Sequence, residues 1–404
     1  MRRLVFGLFV CLSALLSAQG ASAQEAPDAT SSEVLEIPVS ARVDTTDAQV
    51  QQVVARWRGY LRARSDSAEA SETFWTDEAR RRYDDPDLGS RFAYPSAGHF
   101  QTFSPKILSA DPALEKQCEA PGGCFRVRTL WENLRTDEAR FTPYALQTVF
   151  LRRSADGETW KLSNALPART SDWKRQQAGP IEYVYPPGRR PSREDTERAA
   201  AFVDSLASRF DVPVAEISYY LPRSSDELAR ILGLDYTLGP TQGIALSNEG
   251  LLFSAANGAY HSHELAHMTL PFEGPALLME GLATYAGGSR DRSPQQMFKL
   301  LHEHLRSHPD TTLENILTRK IPGVESYFVQ NTLRYATGAV FVRRAYEQGG
   351  AEAVKRLFSL SEGRSATPEA FRAAISEVLG LSRDRATAAL RESTEDYAKN
   401  GGQS

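Results

Sequence analysis

Three cysteines and seven histidines in 404 residues leave little material for metal clusters or disulfide scaffolds. Cys11 falls in an apolar N-terminal run, so Cys118 and Cys124 are the pair that remains, and a zinc ribbon would need a second pair. They flank Glu119-Ala120-Pro121-Gly122-Gly123, a turn-forming interior, and a small structural disulfide loop is expected there, in keeping with an oxidising compartment. An excess of either sign of charge is also lacking. A net charge of -4 offers no basic face for a nucleic acid, and Gly188-Arg189-Arg190 reads as a solvated linker. Beyond the first residues no apolar run is long enough to cross a bilayer. With 41% hydrophobic and 24% charged residues the composition is that of a globular protein, and the length suggests two domains, each with its own core.

The N-terminus carries a targeting pattern. Arg2 and Arg3 precede the apolar run from Leu4 to Leu16, and Ala21-Ser22-Ala23 is a small-residue cleavage site. Residues 1–23 are therefore expected to be a secretory signal peptide, with the mature protein exported to the periplasm or the cell exterior. Residues 24–45 are polar and read as a flexible lead-in.

Residues 46–168 form the expected first domain. Val50, Val53, Val54, Trp57, Tyr60 and Leu61 recur at the spacing of one helix face, and a short helix follows from Phe74 to Tyr83. Strand-like runs then appear at His99 to Leu108, Phe125 to Leu130, Leu146 to Leu151 and Trp160 to Leu166, with Asp156-Gly157 as a hairpin turn. Helices followed by an antiparallel sheet resemble the NTF2-like cone fold, which implies an α+β accessory domain able to hold a small molecule. His99 stands alone and reads as structural. Residues 169–191 are rich in proline and are expected to be the linker.

The second domain, 192–400, opens with a helix capped by Ser192. A strand at Ile217 to Leu221, a capping box at Ser224 to Glu227 and two strands at Gly243 to Ser247 and Leu251 to Ala255 follow. Beyond Gly287-Gly288 the pattern is helical, with Ser293-Pro294 as a helix start and Gly349-Gly350 and Gly380 as stops.

Between strands and helices lies the passage His263-Glu264-Leu265-Ala266-His267. On a helix, His263 and His267 are one turn apart on one face and can hold one metal ion. Glu264 projects beside that face, placed to act as a base without being a ligand. This is the pattern of a zinc hydrolase, in which the metal acidifies a water and polarises a carbonyl. A third ligand is needed, and Glu280 in Glu280-Gly281-Leu282-Ala283-Thr284-Tyr285 is the candidate. Its helix starts at Pro275, and Gly281, Ala283 and Ala286 are small enough for close packing on the first helix at Ala266. A second histidine-rich stretch, Leu301-His302-Glu303-His304-Leu305-Arg306-Ser307-His308, has Arg306 where a second ligand histidine would stand and reads as a solvated helix end. His261 sits off the ligand face, at the rim.

The two passages together resemble the gluzincin metallopeptidases, in particular the bacterial peptidase MA-like group. The gap from His267 to Glu280 is shorter than in thermolysin-like members. The resemblance implies a zincin-like domain with a mainly helical lower lobe, a Zn2+ cofactor held by His263, His267 and Glu280, and Glu264 as general base. It also implies a peptide or protein substrate held along an edge strand, one of the two before the motif, and Tyr335 as donor to the oxyanion. A core role for Tyr335 remains open. So do two rival functions: a cell-envelope binding protein that keeps the zincin fold without catalysis, and a small-ligand role for the first domain.

Overall fold

The computed structural model describes residues 36–66, 71–90, 103–113, 123–135, 140–154, 156–239, 241–256, 258–361 and 367–400. The expected signal peptide, the start of the lead-in, His99 and Cys118 lie outside the described residues, and with Cys118 the expected bridge to Cys124. The chain is α+β and forms two compact units. The first comprises the residues up to Lys174 with Tyr185–Arg189 and Pro222–Gln242; the second comprises Arg175–Val184, Arg190–Leu221 and Gly243 onward.

In the first unit, helix α1 (Ala48–Asp66) buries Val50, Val53, Val54, Trp57, Tyr60 and Leu61, the face its periodicity predicts. Asp47 starts it by accepting from the amides of Gln49 and Val50. Helix α2 (Asp77–Arg82) is capped by Thr76. Strands β1 (Phe103–Ala113), β2 (Cys124–Arg135), β3 (Arg140–Arg153) and β4 (Trp160–Ser163) form an antiparallel sheet in that order. Trp57 of α1 reaches it, donating from Nε1 to Thr129 Oγ1 at 2.8 Å in the core. Beneath the sheet runs a buried polar chain. Trp131 donates to Gln147, Gln147 to Asp87, and Tyr60 to Asp87, at 2.9 to 3.0 Å. Helix α3 (Ala165–Arg169) closes this stretch.

The expected linker carries structure. Strands β5 (Lys174–Ala178) and β6 (Ile181–Tyr185) lie within it, with Ile181, Tyr183 and Val184 fully buried. The prolines and glycines of this region punctuate the strands rather than replace them; in sequence Tyr183-Val184-Tyr185 stands out only as a short extended stretch, and the strand takes in Ile181 and Glu182 as well. Helix α4 (Arg193–Phe210), capped by Ser192, leads to β7 (Ile217–Tyr220), which pairs parallel to β6.

The chain then returns to the first unit for helix α5 (Ser225–Ile231) and strand β8 (Leu234–Thr237), which pairs with β3 at Ala145 to Gln147. Asp235 fixes it through Thr148 and Arg169. By compactness, Tyr185–Arg189 and Pro222–Gln242 thus belong with the first unit, and Arg175–Val184 with the second.

In the second unit, β9 (Gly243–Leu246) and β10 (Leu251–Ser254) form an antiparallel hairpin, and the sheet runs β5-β6-β7-β10-β9. Strand β10 is wholly buried, while β9 is half-buried at the edge. Helix α6 (Ser262–Thr269) follows, then α7 (Ala276–Gly287), α8 (Pro294–Ser307) and α9 (Leu313–Leu317). The element Tyr327–Ser359, α10, is broken by non-helical angles at Gly349 and Gly350, where the sequence predicts a stop. Helices α11 (Pro368–Leu379) and α12 (Arg383–Asn400) complete the unit. The core joins Leu278 and Leu282 of α7, Phe298 and Leu301 of α8, Val340 and Phe341 of α10, and Leu390 of α12. Fully burying a side chain of this size contributes about 1.5–3 kcal/mol, and this core is the platform under the residues described next.

Candidate metal centre

Helix α6 starts without a side-chain cap at His261. Its first turn is held instead by the end of α7: Ser262 Oγ donates to the Gly287 carbonyl at 2.6 Å. A Cβ on Gly287 would fall 2.5 Å from the carbonyl carbon and oxygen of Ser262 and 2.8 Å from the His263 amide nitrogen. Only a glycine allows that approach. Gly288, at φ 77° and with the Arg292 carbonyl 2.1 Å from a would-be Cβ, is equally restricted. Its own carbonyl oxygen lies 2.7 Å from His263 Nδ1, which donates to it. That Gly288 orients a histidine was not legible in the sequence, because nothing near it there marks the contact.

With Nδ1 engaged, His263 turns Nε2 towards Glu280 Oε2, 3.1 Å away, and His267 Nε2 lies 3.7 Å from the same oxygen. The two rings are nearly perpendicular, with centroids 4.9 Å apart. Donor atoms from His263, His267 and Glu280 all lie within 4.8 Å of one another. Zinc bonds of about 2.0–2.1 Å in tetrahedral geometry set donors about 3.3 Å apart, and the two observed separations from Glu280 bracket that spacing. Two imidazoles and one carboxylate are also a donor set that suits zinc, with a backbone carbonyl fixing one histidine from behind. These residues fit the ion.

The electrostatics agree. Burial alone would push the Glu280 carboxyl up from its ordinary 4.5, but hydrogen bonds from His263 and His267 outweigh it and hold the group well below that value. Burial likewise opposes charge on His263, yet Glu280 and the Gly288 carbonyl raise it above its ordinary 6.5.

Around this group stand the other expected residues. Glu264 is half-buried, and its Cγ lies 3.4 Å from the place of a Cβ on Gly243 in β9. Tyr335 of α10 is buried, its ring nearly parallel to that of His263 at 6.2 Å and 15°. His261 lies outside the donor group; its ring packs on Gly243, and its Nδ1 is buried with no hydrogen-bond partner among the described residues. Burial lowers its pKa.

One packing expectation changes. Gly281 does not serve α6: a Cβ there would lie 2.4 Å from the Gly338 carbonyl carbon of α10. Gly338 reciprocates, so α7 and α10 cross backbone to backbone, bringing Tyr335 and Glu280 onto neighbouring turns of packed helices. Ala266 and Ala283 line a cavity of about 300 Å³ with Phe272, Met279 and Leu282. The residue that admits α6 closely is Gly287.

No family model matches this chain, and no curated protein matches it. Among solved structures, a two-domain M1 zinc metallopeptidase variant bound to L-tryptophan is similar over 72% of this chain and 64% of that chain, at 17% identity and a TM-score of 0.34. An M1 zinc metallopeptidase from Deinococcus radiodurans is similar over 72% of this chain and 63% of that chain, at 18% identity and a TM-score of 0.33. The chain spans less than two thirds of either. The chemistry of the site therefore rests on its own side chains.

Proposed function

We propose that this chain is an exported zinc-dependent metallopeptidase that hydrolyses peptide bonds. The observation that carries the reading is the convergence of His263, His267 and Glu280 on one point with Glu264 beside it. When bound, zinc supplies a Lewis acid for the scissile carbonyl and lowers the pKa of water.

The chain's own residues do the rest. Glu264 takes the proton of the attacking water and later delivers it to the leaving amine. The Tyr335 hydroxyl donates to the oxygen on which charge develops, with its ring set beside His263. Strand β9, at the sheet edge and with Gly243 beside Glu264, receives the substrate as an added strand. The buried β10 cannot. A site with only a structural ion has no use for a base at Glu264, which argues against a binding protein without catalysis. Export rests on the signal pattern of residues 1–23, and the Cys118–Cys124 bridge belongs to the same reading. The first unit, with α1 on an antiparallel sheet, is proposed as an accessory domain of NTF2-like type.

The test is Glu264→Gln assayed on a mixed peptide library. Loss of about 10²–10⁴ in kcat with zinc retained is expected for a general base. Full activity in the variant would overturn the mechanism.

A further inference from the structure

Helices α6 and α7 approach closely where Ser262 meets Gly287, and towards the other end of α6 they leave a space. Ala266 and Ala283 are too short to fill it. The cavity of about 300 Å³ that they border is lined further by Met268, Phe272, Met279 and Leu282. Protein interiors are packed to the density of organic crystals and seldom hold voids wider than a water molecule. A carbon-lined space of this size has the volume and composition of a ligand pocket.

Its walls say what kind of group fits. Met268 and Met279 are two of the chain's four methionines, and the unbranched thioether adapts to more than one apolar shape. Exposed Glu273 is the one carboxylate of the lining, to which no lysine or arginine belongs. An anion therefore finds no partner there. The mouth is marked by Val214, 48% exposed, and by exposed Ser247 and Asn248, so the cavity opens to solvent on this side.

The cavity is continuous with the metal centre. His267, which shares the Glu280 oxygen with His263, is part of the lining. Ser247, the residue after β9, also lines it and donates from Oγ to the His267 carbonyl at 2.9 Å. The space thus begins where the edge strand ends. Gly243, at the other end of β9, stands beside Glu264. Four residues of extended chain, about 13 Å, lead from there to the mouth.

We propose that this cavity is an apolar subsite of the candidate peptidase. It receives one bulky hydrophobic side chain, of leucine or phenylalanine size, from a substrate residue within about four positions of the bond to be cleaved. This role rests on the peptidase reading above. In a peptide added along β9, successive side chains point to opposite faces, so a single residue fills the cavity and sets its distance from the cut.

Fluorescein-labelled, amidated alanine octapeptides carrying one leucine or one phenylalanine test it, with all-alanine and single-glutamate peptides as references. Binding is followed by fluorescence anisotropy on the full chain with Glu264→Gln, so that no turnover intervenes. The leucine and phenylalanine peptides are expected to bind about tenfold more tightly than either reference. Val214→Trp and Asn248→Trp each set an indole at the exposed mouth, where the fold has least to lose, and should bring that ratio to about one with zinc content unchanged. In the chain with Glu264 intact, mass spectrometry should find the cut at a constant number of residues from the leucine wherever it is placed. Equal binding of all peptides, or a preference that survives both tryptophan substitutions, would overturn the subsite. An apolar preference that both substitutions remove, in a chain whose Glu264 form cleaves nothing, would defeat the peptidase reading and leave the subsite standing. Cleavage at bonds unrelated to the leucine would do the opposite.

Discussion

Two pairs of histidines in this chain have the same spacing and opposite fates. His263 and His267 meet with rings at 83°, their Nε2 atoms turned to one carboxylate oxygen. His304 and His308 stack at 21° with centroids 4.5 Å apart. Parallel rings aim their lone pairs side by side instead of at a common point. The partners differ accordingly. His308 Nδ1 bonds the His304 carbonyl, and His304 Nε2 lies 3.4 Å from Thr311 Oγ1, both local contacts at a helix end. His263 is turned by a carbonyl and an acid from another helix, 25 and 17 residues away in sequence. Spacing of one helical turn is thus necessary for a metal pair and not sufficient; what distinguishes the pairs is a long-range acceptor behind one ring and a shared acid before both.

The strongest way to break this comparison is to alter one ring of each pair. His263→Ala should abolish stoichiometric zinc in protein purified and dialysed against a weak chelator, while His304→Ala should leave zinc content as in the wild type. Metal analysis of both proteins checks this, and equal zinc in the two variants would mean that the pairs do not differ as described.

A subtler alteration leaves every ligand in place. Gly287→Ala adds one methyl group where the Ser262 backbone already stands, so it should destabilise by about 2–3 kcal/mol, as overpacking does. It should also weaken zinc retention by displacing the first turn of α6. Denaturant unfolding and zinc titration of this variant distinguish it from Gly157→Ala in the first unit, where nothing lies within 4 Å of the added carbon. There the left-handed φ of 75° is the sole obstacle.

The mildest probe is pH. His263 has a folded pKa above its ordinary 6.5, so its proton stabilises the metal-free fold below 6.5 and that stability is lost as pH rises through the folded value. Glu280 is depressed below its ordinary 4.5, so its contribution is present above 4.5 and is lost as pH falls towards its folded value. For this pair the metal-free chain gains most between 4.5 and 6.5. Zinc requires His263 neutral. The zinc-induced rise in Tm should therefore grow from pH 6 to pH 8, as thermal unfolding with and without metal will measure. A constant increment would contradict the assigned pair.

The contrast also explains how far the sequence could be read. Residue types and spacing sufficed for His263, Glu264 and His267, because one helix turn puts them together without help from the fold. Glu280 was legible as the acid of a second helix. The helix face of α1 followed from period, and the helix start at Ser293-Pro294 and the break at Gly349-Gly350 from local chemistry. What could not be read was long-range. The Gly288 carbonyl that orients His263, the Gly281–Gly338 crossing that sets Glu280 beside Tyr335, and the return of β8 to pair with β3 depend on which segments meet, and no local pattern encodes that. Strand β5 was hidden by the prolines around it, and of β6 only Tyr183-Val184-Tyr185 showed as an extended stretch.

The central claim is that two imidazoles and one carboxylate from α6 and α7 share a zinc ion. X-ray absorption at the zinc edge of the purified, full-length chain tests it most directly. The account expects one zinc per chain with two imidazole nitrogens and oxygen ligands at about 2.0–2.2 Å. Absence of zinc, or a spectrum dominated by sulfur or lacking the imidazole pair, would contradict it.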